Sequence, residues 1–292
     1  MYKKKYIAYL LILPMLAFLV IFLFYPFIVN IKVSFYHYLH PFDVTPNFVG
    51  FGNFKTLFAD RYFKISLINT LKLMGLVLVF QVGLALILAL LVDKVPKFNT
   101  FFRVTYFVPI IISATALGLM FQMIFKFDGG LLNQILGYFK IKPIRWLDME
   151  NGRRTFYTMM SPVVWQYIGF YFVIFLTGLS TVSTEMIEAA KIDGASEWQI
   201  ITRIKLPLLQ NITRIVIVLA ITGTLKVFDL PYILNSTSFP NGSPYILGTY
   251  MYDLFRGFTK MGVAAAFSII LAVLGVGLSS LVNVIFKPNE DI

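Results

Sequence analysis

Apolar residues neither alternate along this chain nor recur at three- and four-residue steps. They come in unbroken runs separated by short polar stretches. A hydrocarbon core ~30 Å thick needs ~20 apolar residues in helical form. That ruler predicts six spans, at residues 6–36, 66–92, 104–125, 157–180, 212–234 and 262–286. A membrane barrel would show ~10-residue segments of alternating polarity, which are missing here. The predicted fold class is therefore an all-α membrane protein with six transmembrane helices, read as one domain over residues 1–292.

An even number of spans returns the C-terminal "KPNEDI" to the side of the N-terminal "MYKKK". The apolar run behind those lysines is too long for a cleaved leader, and no small-x-small site follows it. It reads as a retained anchor with its basic end inside. Lys and Arg counts on the two sides of this topology tie, but the inner segments are shorter and therefore denser in basic residues, which places both termini in the cytoplasm. Outer segments near Lys55, Trp146 and Asn241 carry turn signals such as "FDGG" and "FPNGSP".

Composition narrows the function. With 58% hydrophobic and 13% charged residues the chain lies well outside the soluble range. Its net charge of +11 is scattered among apolar runs and forms no basic stripe, so anionic lipid headgroups fit it and nucleic acid does not. There is no cysteine, hence no disulfide, thiolate metal site or cysteine nucleophile. His37 and His40 lie at the end of the first span without a carboxylate cluster, so no metal site is assigned. Ser161, Ser268, Ser279 and Ser280 sit in apolar helices without a His or Asp companion, and no catalytic residue is assigned. No G-x-x-x-x-G-K-[ST] string occurs to cradle a nucleotide.

One inner segment is not an ordinary loop. In "EAAKIDGASEWQIITRIKLPLL", Glu188 to Leu209, Ser183 or Thr184 can cap a first helix whose positive end faces Glu185 and Glu188. Gly194 breaks it with a turn. A second helical piece, "ASEWQIITRI", sets Trp198, Ile201 and Ile204 on one face before Pro207 ends the run. The small residues Ala189, Ala190, Gly194 and Ala195 permit close approach of another backbone. Spacing alone leaves open whether this helix–turn–helix docks a protein or lies on headgroups.

Within the spans, Lys72 is close enough to the outer end of the second to snorkel. Lys226 and Asp229, three apart in the fifth, either form an internal ion pair or border a polar path.

Glu188, Ala189 and Ala190, then Asp193, Gly194 and Ala195, with Ile204, Leu206 and Pro207, resemble the EAA motif of permease subunits of bacterial ATP-binding-cassette importers. "FVGFGNFKTLF", "FKISLINTLKL", "FRVTYFVPIIISATALGLMF", "FDGGLLNQIL" and "TLKVFDLPYIL" are similar to strings of the carbohydrate-uptake branch that includes maltose-type importers. The likeness covers nearly the whole chain and departs at "NSTSFPNGSP", where a glycine-rich string is usual.

The resemblance implies a type I permease fold in the bacterial plasma membrane, with residues 181–211 as a cytoplasmic coupling loop docked in an ATPase. Glu188 would be its electrostatic anchor, Gly194 its turn, and Ala189, Ala190 and Ala195 its contact surface. The implied partners are a second homologous permease subunit, two cytoplasmic ATPase subunits, an extracellular or periplasmic binding protein, the lipid bilayer and a carbohydrate. ATP and Mg belong to the ATPase subunits, and this chain binds no cofactor. The cargo is an oligosaccharide, with a glycerol-phosphate ester or a polysaccharide fragment as alternatives. Counted from Glu188, the sugar site opens at Trp165 and falls on Gln166, Tyr167 and Phe170, and across from them on Ala220, Gly223, Thr224 and Val227. Ala220, Gly223 and Val227 offer no side-chain hydrogen bond, which implies either a looser site here or one shifted toward Lys226 and Asp229. A proton-coupled carrier ranks lower because Asp229 has no relay partners. A membrane scaffold docking a cytoplasmic protein is the alternative of another class.

Overall fold

The computed structural model describes residues 5–38, 43, 45–148, 151–234, 244–256 and 260–286. His40, most of "NSTSFPNGSP", Lys3, Lys4 and the "KPNEDI" end lie outside the described residues. Five helices are long and apolar enough to cross a membrane: Tyr9–Ser34, Arg61–Asp93, Gly152–Leu179, Gln210–Leu234 and Met261–Ile285. Pro96–Ile111 and Ala114–Phe125, two helices bent by 91°, are together long and apolar enough to make a sixth. Among the described residues the one strand pair is Tyr36–His37 against Asn47–Phe48, antiparallel.

The bend departs from the straight third span read over 104–125. Pro109 lies in the last turn of Asn99–Ile111 and removes one of its N–H donors. Ile112 then turns extended, and Ser113 caps the next helix by accepting from the Ala116 N–H. The fifth span is also interrupted. Gln210–Leu225 stops at Lys226, and Asp229–Leu234 starts three residues on. Pro231 explains the gap: in an unbroken helix its ring would meet the Val227 carbonyl and leave that oxygen without a donor.

The chain forms two compact units, Met1–Phe63 with Tyr250–Val273, and Lys64–Thr249 with Leu274–Ile292. In the first, Asn30 Nδ2 donates to Ser268 Oγ at 2.5 Å, and Phe63 meets Phe267 edge to face. Asn53 is buried and donates to the carbonyls of Ser34 and Tyr36, closing the turn after the first span. From Tyr9 onward the first span exposes nearly all of its apolar side chains, as a lipid- or partner-facing helix does.

The second unit packs around Phe172, Phe175, Met159, Leu73 and Leu117, all buried. Gly169 is required there, because a Cβ would fall on the Tyr106 carbonyl oxygen where the third and fourth spans cross. Polar side chains hold freed backbone groups: Asn69 donates to Tyr245 O, Thr70 Oγ1 accepts from Leu247 N, and Gln122 donates to Ile233 O at 2.6 Å.

Candidate functional site

The interruptions converge. A cleft of about 490 Å³ is lined by Ile110–Ala114 at the bend of the third span, by Gln166 and Tyr167 at the junction within the fourth, and by Lys226–Leu230 at the gap in the fifth. The second span adds Val77 and Gln81 from its wide-turn segment Val77–Val82. Irregular backbone within apolar spans is tolerated where it borders a polar cavity, so the three breaks, the wide turns of the second span and the cleft explain one another.

Of the site residues placed by resemblance, Gln166, Tyr167, Gly223, Thr224, Val227, Lys226 and Asp229 line this cleft, as does Ala220. Phe170 does not: it packs beside Tyr171 and against the apolar core. Its neighbour Tyr171 takes a place on the wall instead, because the junction at Tyr167 resets which residues of the next helix face inward. Trp165 stacks edge to face on Phe121, outside the lining. Lys226 and Asp229 are both exposed to the cleft and, among the described residues, no ion pair joins them. The bracing pair is thus absent, and both side chains stand on the cleft wall.

Gln81 was not legible as a site residue. It is 3% exposed, Gln166 is 7% exposed, and neither amide has a hydrogen-bond partner among the described residues. Neither is among the fully buried atoms that lack a partner, so both amides reach the open space of the cleft, where a ligand or water can bond them. The only signal in sequence was a single amide in the apolar string "VLVFQVGLAL". Thr224 differs: its hydroxyl donates back to Ala220 O at 2.7 Å and keeps only lone pairs for a ligand. The wall therefore combines two amides, Tyr167 and Tyr171 phenols and an acceptor hydroxyl, with Val77, Val163 and Val227 as apolar surface.

The segment 184–209 is a helix–turn–helix. Thr184–Ile192 is capped by Ser183, whose side chain accepts from Met186 N. Gly194 takes φ +81°, the left-handed conformation that glycine supplies without strain. The second helix starts two residues later than read from sequence, at Glu197, because Ser196 and Gln199 form a reciprocal capping box. The expected face of Trp198, Ile201 and Ile204 does not hold together: Trp198 is 72% exposed and Ile200 is buried. The wide turns of Ile201–Lys205 break the α-helical period that would have aligned them. Nor does Pro207 end the run. The helical run carries through it to Leu208, and Leu209 makes the turn into Gln210–Leu225. Glu188, Ala189, Asp193 and Gly194 are exposed, and Ala190 and Ala195 are half-buried.

Three ion pairs join this segment to itself and to the end of the second span. Lys205 Nζ lies 2.6 Å from Asp93 Oδ2, Lys94 Nζ 3.2 Å from Glu197 Oε2, and Lys191 Nζ 3.9 Å from Glu197 Oε1. The hydrogen bond from Lys94, more than the surrounding charge, holds the Glu197 carboxyl below its ordinary range.

Residues 81–287 match the family described as "Binding-protein-dependent transport system inner membrane component". The chain is 33% identical to an arabinooligosaccharides transport system permease protein of Bacillus subtilis, over 94% of this chain and 86% of that protein. It is 30% identical to a probable ABC transporter permease protein of the same organism, over 99% of both. It also resembles a chain in the crystal structure of a bacterial ABC transporter involved in the import of the acidic polysaccharide alginate. There the TM-score is 0.84 and the identity 25%, over 99% of this chain and 98% of that one. The likeness extends through the broken spans and the helix–turn–helix, and the chain belongs to the family of binding-protein-dependent transport system inner membrane components, as a multi-pass permease.

Proposed function

We propose that this chain is one half of an ATP-driven importer whose cargo, a carbohydrate of oligosaccharide size, passes through the cleft at the span breaks. The observation that carries the reading is the pair of open amides, Gln81 and Gln166, set among phenols and apolar surface. Sugars present alternating hydroxyls and CH faces, which amides bond and aromatic rings stack. The relatives' names, arabinooligosaccharides and alginate, point to the same class of cargo.

A second homologous permease would complete the path, a binding protein would deliver the sugar from outside, and two cytoplasmic ATPase subunits would bind ATP and Mg. Their closure would be received at 184–207, with both termini on the same cytoplasmic side. Glu188 would anchor the contact, Asp193 and Gly194 shape the turn, Ala189, Ala190 and Ala195 allow close approach, and Leu206 and Pro207 lead into the fifth span. Alternating access then follows as rigid helices rock about the cleft.

Reconstitution of the four-part complex in vesicles tests this. Uptake of labelled oligosaccharide should require ATP, the ATPase subunits and the binding protein; uptake that persists without ATP removes the importer reading.

Lys226 favours a second form of cargo. It is a cation on the cleft wall with no carboxylate partner among the described residues, which suits a uronate- or phosphate-bearing glycan. Lys226→Gln should then weaken uptake of an acidic oligosaccharide more than of a neutral one. Equal loss for both leaves the neutral sugar as cargo.

A further inference from the structure

The second span ends at Asp93, and Lys94 follows it into the inner turn. Both side chains reach the segment 184–207, but the two contacts are unlike. Lys94 and Glu197 meet in solvent with side chains 44% and 58% exposed, where an ion pair contributes little. Lys205 and Asp93 meet at 2.6 Å with side chains 11% and 22% exposed, shielded from water and counterions. Removing one of those partners strands a charge in a poorly solvated place, whereas an apolar pair of similar size would be tolerated. What an ion pair adds here is register: it holds one residue of the segment against one residue of the span.

The positions joined are mechanically informative. Lys205 closes the wide-turn stretch Ile201–Lys205, immediately ahead of Leu206 and Pro207. Asp93 closes Gly83–Asp93, which continues without interruption from Val77–Val82, and Val77 and Gln81 stand on the cleft wall. Roughly 18 Å of helix, at 1.5 Å per residue, separates Asp93 from Gln81. That helix packs along Ile168–Leu179 and has no proline or gap to absorb a push.

We infer that Lys205 and Asp93 form a clasp through which displacement of the 184–207 segment is passed to the second span and so to Gln81 in the cleft. The inference rests on reading that segment as the receiver of ATPase motion. Both residues act by positioning and neither touches cargo. Energetic coupling of this kind travels through packed elements and ion pairs that keep their register.

The test uses the complete complex in vesicles and reads sugar imported per ATP hydrolysed. Asp93→Asn and Lys205→Met should lower that ratio about tenfold, within the range of coupling between linked sites, while ATP hydrolysis and ATPase retention persist. The exchanged pair, Asp93→Lys with Lys205→Asp, should restore most of it. The apolar pair, Asp93→Leu with Lys205→Met, should assemble and stay low, and it answers the question even where a single variant fails to assemble. Lys94→Gln, which breaks only the exposed contact, should stay within about twofold of wild type.

A wild-type ratio in the single variants or in the apolar pair overturns the clasp. So does loss of ATPase retention that the exchanged pair fails to restore, since the pair would then only brace the loop. The underlying reading fails differently, by ATP-independent uptake in the wild-type complex. ATP-dependent uptake with an unchanged ratio in the variants removes the clasp alone.

Discussion

Gln81 and Gln166 carry most of what is specific about the cleft. Replacing either by Leu removes an amide that has no hydrogen-bond partner among the described residues, so folding should be unharmed. Cargo should lose one hydrogen bond of about 0.5–1.5 kcal/mol, a rise of ~2- to 10-fold in half-saturating concentration for uptake. Unchanged saturation in both variants would move the sugar contacts elsewhere. Asn133 matters for a different reason. Buried in the segment 126–148, it donates to Phe127 O and Ile144 O and accepts from Ile144 N and Trp146 Nε1. Asn133→Ala leaves several buried groups unpaired at about 1–3 kcal/mol each. Residues 126–148 should then exchange amide hydrogens faster while the spans still insert, and unchanged protection would show that other contacts hold this segment.

Among the elements, the helix–turn–helix at 184–200 is the most constrained in backbone and the least covered. Gly194 at φ +81° has no heavy atom within 4 Å of where a Cβ would stand. Gly194→Val therefore meets no clash within the chain, and its cost is the ~1–3 kcal/mol of a strained backbone, borne by the turn. ATPase retention and uptake should fall together with insertion intact; normal retention with normal uptake would deny the turn a docking role. Glu197 gives a pH test. Its carboxyl is held below the ordinary 4.5, so the Lys94 contact is present at neutral pH and is lost as pH falls through that lowered value. A carboxyl 13C titration should place its midpoint below 4.5, and Lys94→Gln should move it back up; an unshifted midpoint in the wild type would show that the contact is not held in solution.

These elements were unevenly legible. The caps at Ser183, the turn at Gly194 and the run of spans follow from local propensity and length, which sequence carries directly. The bend at Ile112–Ser113 and the gap before Pro231 had prolines as signals, but a proline inside an apolar run does not by itself say whether the helix kinks or breaks. The displacement of Phe170 by Tyr171 depends on the backbone at Tyr167, which no residue type announces. Gln81 was invisible because its partner surface comes from three other spans.

At the scale of the whole molecule, the proposed function makes a cavity lined by four helices and a structured segment ion-paired to one of them the two ends of one device. Filling the cavity separates its role from that of the segment. Gly223 faces the cleft, and a Cβ there would find only the Tyr171 hydroxyl, 3.9 Å away. A Cβ at this position thus meets no clash, and the indole of Gly223→Trp would extend into the cleft. In vesicles carrying the full complex, the account predicts that this variant binds its ATPase subunits and hydrolyses ATP but imports no labelled oligosaccharide. Import at the wild-type rate through a chain so blocked would contradict it.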